Sequence, residues 1–138
     1  MQPESQGLFN VSYSEKEVKE EIEALVGKPY SFLKSLKMGG IGSPRMIIKE
    51  ASPSIAPWME TDKYIQYCNI EIRPNGVIVR FRSRLDALAF VVSFKDIIIK
   101  ESSEGYSLGN GVEFLHLIPF KNKSHVSSFF LKLRRLIP

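Results

Sequence analysis

Arg80, Arg82 and Arg84 stand at alternate positions in the run Val79-Arg80-Phe81-Arg82-Ser83-Arg84. Alternate residues of a β-strand share a face, so three guanidiniums form one row while Val79 and Phe81 turn to the core. Arg73, across a turn, extends the row at its end. Guanidiniums grip oxyanions in a bidentate fashion, so the chemistry on offer is recognition of a phosphorylated head group or another oxyanion. A solvated outer face, salt-bridged to Glu71, is the simpler reading of the same row.

Other reactive side chains are scattered. His116 alternates with Val112, Phe114 and Ile118, as a satisfied or edge-strand histidine would, and His125 opens the last helix, where the dipole disfavours its charged form. Two histidines and one cysteine at these spacings match no metal-ligand set, and no cofactor is implied. Asp62, Asp86 and Asp96 show no pairing suited to acid–base work. Cys68 shares parity with Tyr64, Gln66, Ile70 and Ile72 and reads as a small core residue. Gly39-Gly40-Ile41-Gly42-Ser43 lacks both the G-x-G-x-x-G spacing and a following lysine, and reads as a connector. Trp58 and Met59, beside two prolines, read as packed on the sheet.

The elements that must position these groups follow from periodicity. Ser14-Glu15-Lys16-Glu17 is a capping box, with Tyr13 and Val18 as its hydrophobic staple. Val18, Ile22, Leu25 and Val26 form the stripe of this first helix, and Gly27 ends it. The dozen residues before it are weakly patterned and read as frayed. Tyr30, Phe32, Leu33 and Leu36 continue as a short helical or irregular segment. Strand patterns then occupy residues 45–51, 64–73, 77–84, 87–94, 96–101 and 112–119, with a short one at 106–108, and a proline-bearing loop at 52–58. Pro74-Asn75-Gly76 supplies positions i+1 to i+3 of a type I turn, with Gly76 free to take a positive φ. A closing helix over 124–137, capped by Ser124, carries Val126, Phe129, Phe130, Leu133 and Ile137 on one face. Lys132, Arg134 and Arg135 complement its C-terminal dipole.

Composition narrows the function classes. The 138 residues, 43% hydrophobic and 25% charged, describe one globular domain with a real core. No stretch approaches membrane-spanning length, and no basic leader precedes an apolar run. The single cysteine fits a reducing, cytoplasmic location. Residues 1–62 carry seven Lys/Arg against nine Asp/Glu, whereas 63–138 carry twelve against six. That basic portion favours anionic partners, but the excess is modest for nucleic acid, and no aromatic–basic interleaving forms a stacking platform.

The portion from residue 45 to 138 resembles a bacterial pleckstrin-homology-like domain. The resemblance rests on the hairpin from Ile70-Glu71-Ile72-Arg73 through Pro74-Asn75-Gly76 to Val77-Ile78-Val79. The strand, polar turn and strand Val91-Val92-Ser93-Phe94-Lys95-Asp96-Ile97-Ile98 and the final helix with Phe129, Phe130 and Leu133 complete it. It implies an α+β fold: a partly open barrel of two near-orthogonal antiparallel sheets, with the C-terminal helix plugging one end. Residues 1–44 are then an N-terminal helical extension, packed on the barrel or masking one of its edges. The resemblance also implies a binding module rather than an enzyme. Phosphoinositide-binding members carry basic residues on the first two family strands; Arg73, Arg80 and Arg82 are similar in spacing, but no lysine precedes them in the expected strand.

Three functions follow as expectations. The first is a non-enzymatic binding or scaffolding module that meets a protein partner or a second copy through a sheet edge, the basic hairpin face or the 52–60 loop. The second is peripheral binding of anionic lipid through Arg73, Arg80, Arg82 and Arg84, weakening steeply with salt. The third is a small enzyme with a pocket between the leading helix and the sheet, gathering His116, Cys68 or the aspartates.

Overall fold

A computed structural model describes residues 2–59 and 65–138; Asp62 and Tyr64 lie outside the described residues. Eight strands form one antiparallel sheet: β1 (Leu8–Asn10), β2 (Met46–Ala51), β3 (Tyr67–Arg73), β4 (Gly76–Ser83), β5 (Asp86–Ser93), β6 (Ile98–Glu101), β7 (Tyr106–Gly109) and β8 (Phe114–Pro119). Their order is β1-β5-β4-β3-β2-β8-β7-β6, so β2 joins two halves by pairing with both β3 and β8. The described residues also form three α-helices, α1 (Lys16–Val26), α2 (Phe32–Lys37) and α3 (Lys123–Leu136), and a 3-10 turn at Ala56–Trp58. The sheet does not close, and the α+β class expected of the sequence holds.

The main core lies between the inner face of the sheet and α3. Val77, Val79 and Phe81 of β4 and Leu88, Phe90 and Val92 of β5 share this core with Val126, Phe129, Phe130 and Leu133 of α3. A second core lies on the outer face, where Val18, Ile22 and Val26 of α1 cover Ile78, Ala89 and Val91. Burial on both faces explains the near-continuous apolar run of β5, which alternation alone does not. Leu25, expected in the α1 stripe, is 41% exposed instead.

Residues 2–12 are not frayed. Leu8, Phe9 and Asn10 are buried, and β1 pairs with β5 through Leu8–Phe90, Phe9–Ala89 and Asn10–Leu88. The preceding residues reach toward the far half of the sheet. Asn110 Nδ2 donates to the Gln6 carbonyl at 3.1 Å, and the Ser5 and Ser54 hydroxyls lie 2.7 Å apart. Ser54 and Ser52 in turn donate to the two oxygens of buried Glu113 at 2.6 and 2.7 Å. Polar bridges thus stand where strand pairing stops.

Helix starts differ from their expected caps. Helix α1 has Glu15 at its N-cap position without a side-chain cap bond, and Tyr13 is 69% exposed, so neither capping box nor staple forms. Before α3, Asn122 rather than Ser124 holds the N-cap position, at φ 51°. Asparagine tolerates this left-handed conformation better than most residues, and its carbonyl accepts from the His125 and Val126 N–H groups.

The β3–β4 hairpin forms as its turn residues predict, with Arg73 opposite Gly76 across Pro74-Asn75. Gly76 is required for a different reason from the one its turn position suggests, since its φ is not positive. A Cβ there would stand 2.3 Å from the Val92 carbonyl oxygen and 2.4 Å from Val26 Cγ1. Gly76→Ala is therefore expected to cost about 1–3 kcal/mol by overpacking, read as a lower urea midpoint. An unchanged midpoint would mean that α1 does not press on this turn.

Candidate functional site

The arginine row is only partly assembled. Arg80 and Arg82 project from the outer face of β4, opposite in parity to Val79 and Phe81, as alternation requires. Arg84 leaves the row: Ser83 pairs with Asp86, which places Arg84 and Leu85 in a two-residue turn with Arg84 at φ 56°. Arg73 stays on the outer side but is 6% exposed. Its Nε donates to Glu71 Oε2 at 2.6 Å and its Nη1 to the Gly27 carbonyl at 2.9 Å. Its charge is spent on fastening the end of α1 to the hairpin.

Glu71 stands between Arg73 and Arg80. Arg80 Nη2 donates to Glu71 Oε1 at 2.9 Å, with Nε at 3.3 Å from the same oxygen. Burial pushes the Glu71 pKa up, but the hydrogen bonds and charges of Arg73 and Arg80 together outweigh it and hold the carboxyl below its ordinary value. Three charged side chains therefore present one net positive charge.

Arg45 joins the site unexpectedly. Its guanidinium carbon stands 5.1 Å from the Tyr67 ring centroid, a cation–π contact that orients the group without neutralising it. Arg45, Tyr67, Asn69, Arg80, Arg82 and Val11 line an open groove of about 560 Å³. Arg82 makes one long contact, Nη2 to the Leu85 carbonyl at 3.5 Å. Among the described residues, no carboxylate pairs with Arg45 or Arg82. Strand parity places Arg45 and Ile47 together, but only the β2–β3 pairing brings Arg45 over Tyr67.

A second cavity, of about 270 Å³, opens between α1 and the sheet. Tyr13, Val18, Ile22, Glu23, Arg73 and Arg80 line it; His116, Cys68 and the described aspartates do not. His116 is half-buried on β8, opposite Glu50 and Ser107. Cys68 is 4% exposed, and burial pushes its thiol pKa up to about 12, so the nucleophilic thiolate is scarce at neutral pH. No group of three metal-ligating side chains forms among the described residues.

The Gly39–Gly40 connector has no amide cradle: Gly39 N–H donates to Leu36, Gly40 N–H to Ser35, and Ser43 N–H to Ile70. Trp58 and Met59 pack against the main core, as the simpler reading expected. No helix among the described residues is long and apolar enough to cross a membrane. Compared with protein-family models, curated proteins and solved structures, the chain matches none.

Proposed function

We propose that this chain is a non-enzymatic binding module on a pleckstrin-homology-like barrel, and that it docks an acidic protein segment on its basic hairpin face. The barrel reading is supported by the run β5-β4-β3-β2-β8-β7-β6, a meander whose first strand pairs with its last, with α3 against the inner core. The observation that carries the docking surface is the groove: Arg45 and Arg82 face it without a carboxylate partner among the described residues, beside Tyr67 and Asn69. Aromatic and arginine side chains are the residue types that concentrate binding energy at protein interfaces.

The sheet edges are weaker candidates. Strand β1 covers the β5 edge and has three residues, while β6 has four and carries exposed Lys100 and Glu101. Short, charged edges resist further strand pairing. Buried, free Cys68 accords with a reducing cytoplasmic setting.

The test is an NMR titration of the full chain with a library of extended Asp/Glu-rich peptides, repeated with inositol hexakisphosphate. The expected result is peptide-induced shifts at Tyr67, Asn69 and Arg82, weakening with salt. Arg45→Ala with Arg82→Ala should lower affinity about tenfold or more. Shifts from the inositol phosphate alone would assign the groove to small oxyanions. Silence from both would leave it a solvated face and overturn the proposal.

A further inference from the structure

Helix α2 faces the wrong way for an ordinary surface helix. At 100° per residue, Phe32, Leu36 and Leu33 fall within one arc, and Met38 lies opposite it, between Lys34 and Ser35. The apolar arc points outward: Phe32 is 77% exposed, Leu33 70% and Leu36 61%. Met38 instead packs against the main core, and Ser35 is half-buried. The helix keeps its shape without burying that face. Ser31 Oγ accepts the Lys34 N–H at 3.2 Å at one end, and the Gly39 and Gly40 N–H groups cap the other. Both glycines take positive φ, 77° and 94°, where side chains are strained.

The charge around this face is of one sign. Residues 24–44 hold Lys28, Lys34 and Lys37 and no Asp/Glu, and residues 114–138 hold five Lys/Arg and none. The two acid-free segments meet where Lys132 of α3 donates to the Gly40 carbonyl at 2.8 Å. Lys37 borders the apolar arc beside Leu33, and Lys34, also exposed, follows it on the same side.

We infer that α2 is a membrane-contact element, placing Phe32, Leu33 and Leu36 in the headgroup–acyl boundary of an anionic bilayer. Lys28, Lys34 and Lys37 stay at the level of the lipid phosphates. Apolar burial combined with attraction to anionic lipid is the physics of interfacial helices, and long lysine stems let their charges reach the headgroups while apolar neighbours sink. A second copy of this chain suits the surface less, because Lys34 and Lys37 would face their own counterparts. The surface is separate from the arginine groove, so this inference does not rest on the proposed protein docking.

The experiment is co-sedimentation of the full chain with phosphatidylcholine–phosphatidylserine vesicles and with phosphatidylcholine alone. Wild type is expected to sediment with the mixed vesicles, less so at high salt, and poorly with phosphatidylcholine. Phe32→Ala with Leu36→Ala should weaken binding about tenfold or more, given the apolar surface removed. Thermal unfolding should stay unchanged, because both side chains are exposed. Arg45→Ala with Arg82→Ala should leave sedimentation intact. Three results would overturn the inference: no sedimentation of wild type, sedimentation indifferent to the α2 substitutions, or loss with the arginine pair alone. Light scattering that reveals a dimer abolished by the α2 substitutions would do the same, assigning the face to a second copy.

Discussion

Glu71→Ala is expected to destabilise the fold by about 3–5 kcal/mol, the usual cost of removing one partner from a buried ion pair. The loss arises from what remains. The Arg73 side chain is 8% exposed, and without Glu71 its guanidinium keeps the Gly27 carbonyl as its hydrogen-bond acceptor. Urea unfolding monitored by circular dichroism measures the change. A loss below about 1 kcal/mol would place the pair among surface salt bridges and show that Arg73 reaches water. Acid adds a second readout. Because Arg73 and Arg80 outweigh burial and depress the Glu71 pKa in the folded state, its contribution is complete above the unfolded-state pKa. It is lost as pH falls through the depressed folded value. Wild type should therefore lose stability on acidification through and below the ordinary carboxylate range. Glu71→Gln, which cannot ionise, should lack that part of the slope.

Phe130→Ala should cost about as much, 3–5 kcal/mol, by opening a cavity that the core cannot refill. Phe130 is 1% exposed. Its ring stacks on Tyr106 at 3.8 Å between centroids with an 11° interplanar angle, and meets Phe129 edge-on at 5.6 Å. Tyr106 belongs to β7, so the ring pair couples α3 to the second half of the sheet. The next residue supplies the control. Leu131 is 57% exposed, and Leu131→Ala should change stability by no more than about 0.5 kcal/mol. Comparable losses at both positions would mean that the helix is rotated from the orientation described.

Much of the fold was legible because its signals are local. The buried positions of α3 repeat with the helical period: Val126, Phe129, Phe130 and Leu133 enter the core, whereas Ile137, expected as the fifth of the stripe, lies past the end of the helix. Pro74-Asn75 dictates a two-residue turn whichever partners surround it. In the candidate site, the alternation of Arg80 and Arg82 with Val79 and Phe81 needed only the period of a strand. Arg84 marks the boundary of that logic: its parity is right, but the Ser83–Asp86 pairing ends the strand one residue earlier.

What remained depended on contacts between distant segments. Strand β1 has three residues, too few for a periodic signal, and exists because β5 offers its edge. The near-continuous apolar run of β5 records two-sided burial without naming what covers each face. Arg73 looks like any outer-face arginine until the end of α1, 46 residues away at Gly27, closes over it. Arg45 becomes part of a groove only through the β2–β3 register. Periodicity also marks Phe32, Leu33 and Leu36 as apolar positions, but not the direction they face. By itself, then, the sequence determined the helix stripes, strand parities and hairpin turn, because each depends on neighbours within a few residues. Tertiary structure alone decided which charges are neutralised, which edge is covered and which apolar face is left to solvent, because each depends on packing between segments far apart in the chain.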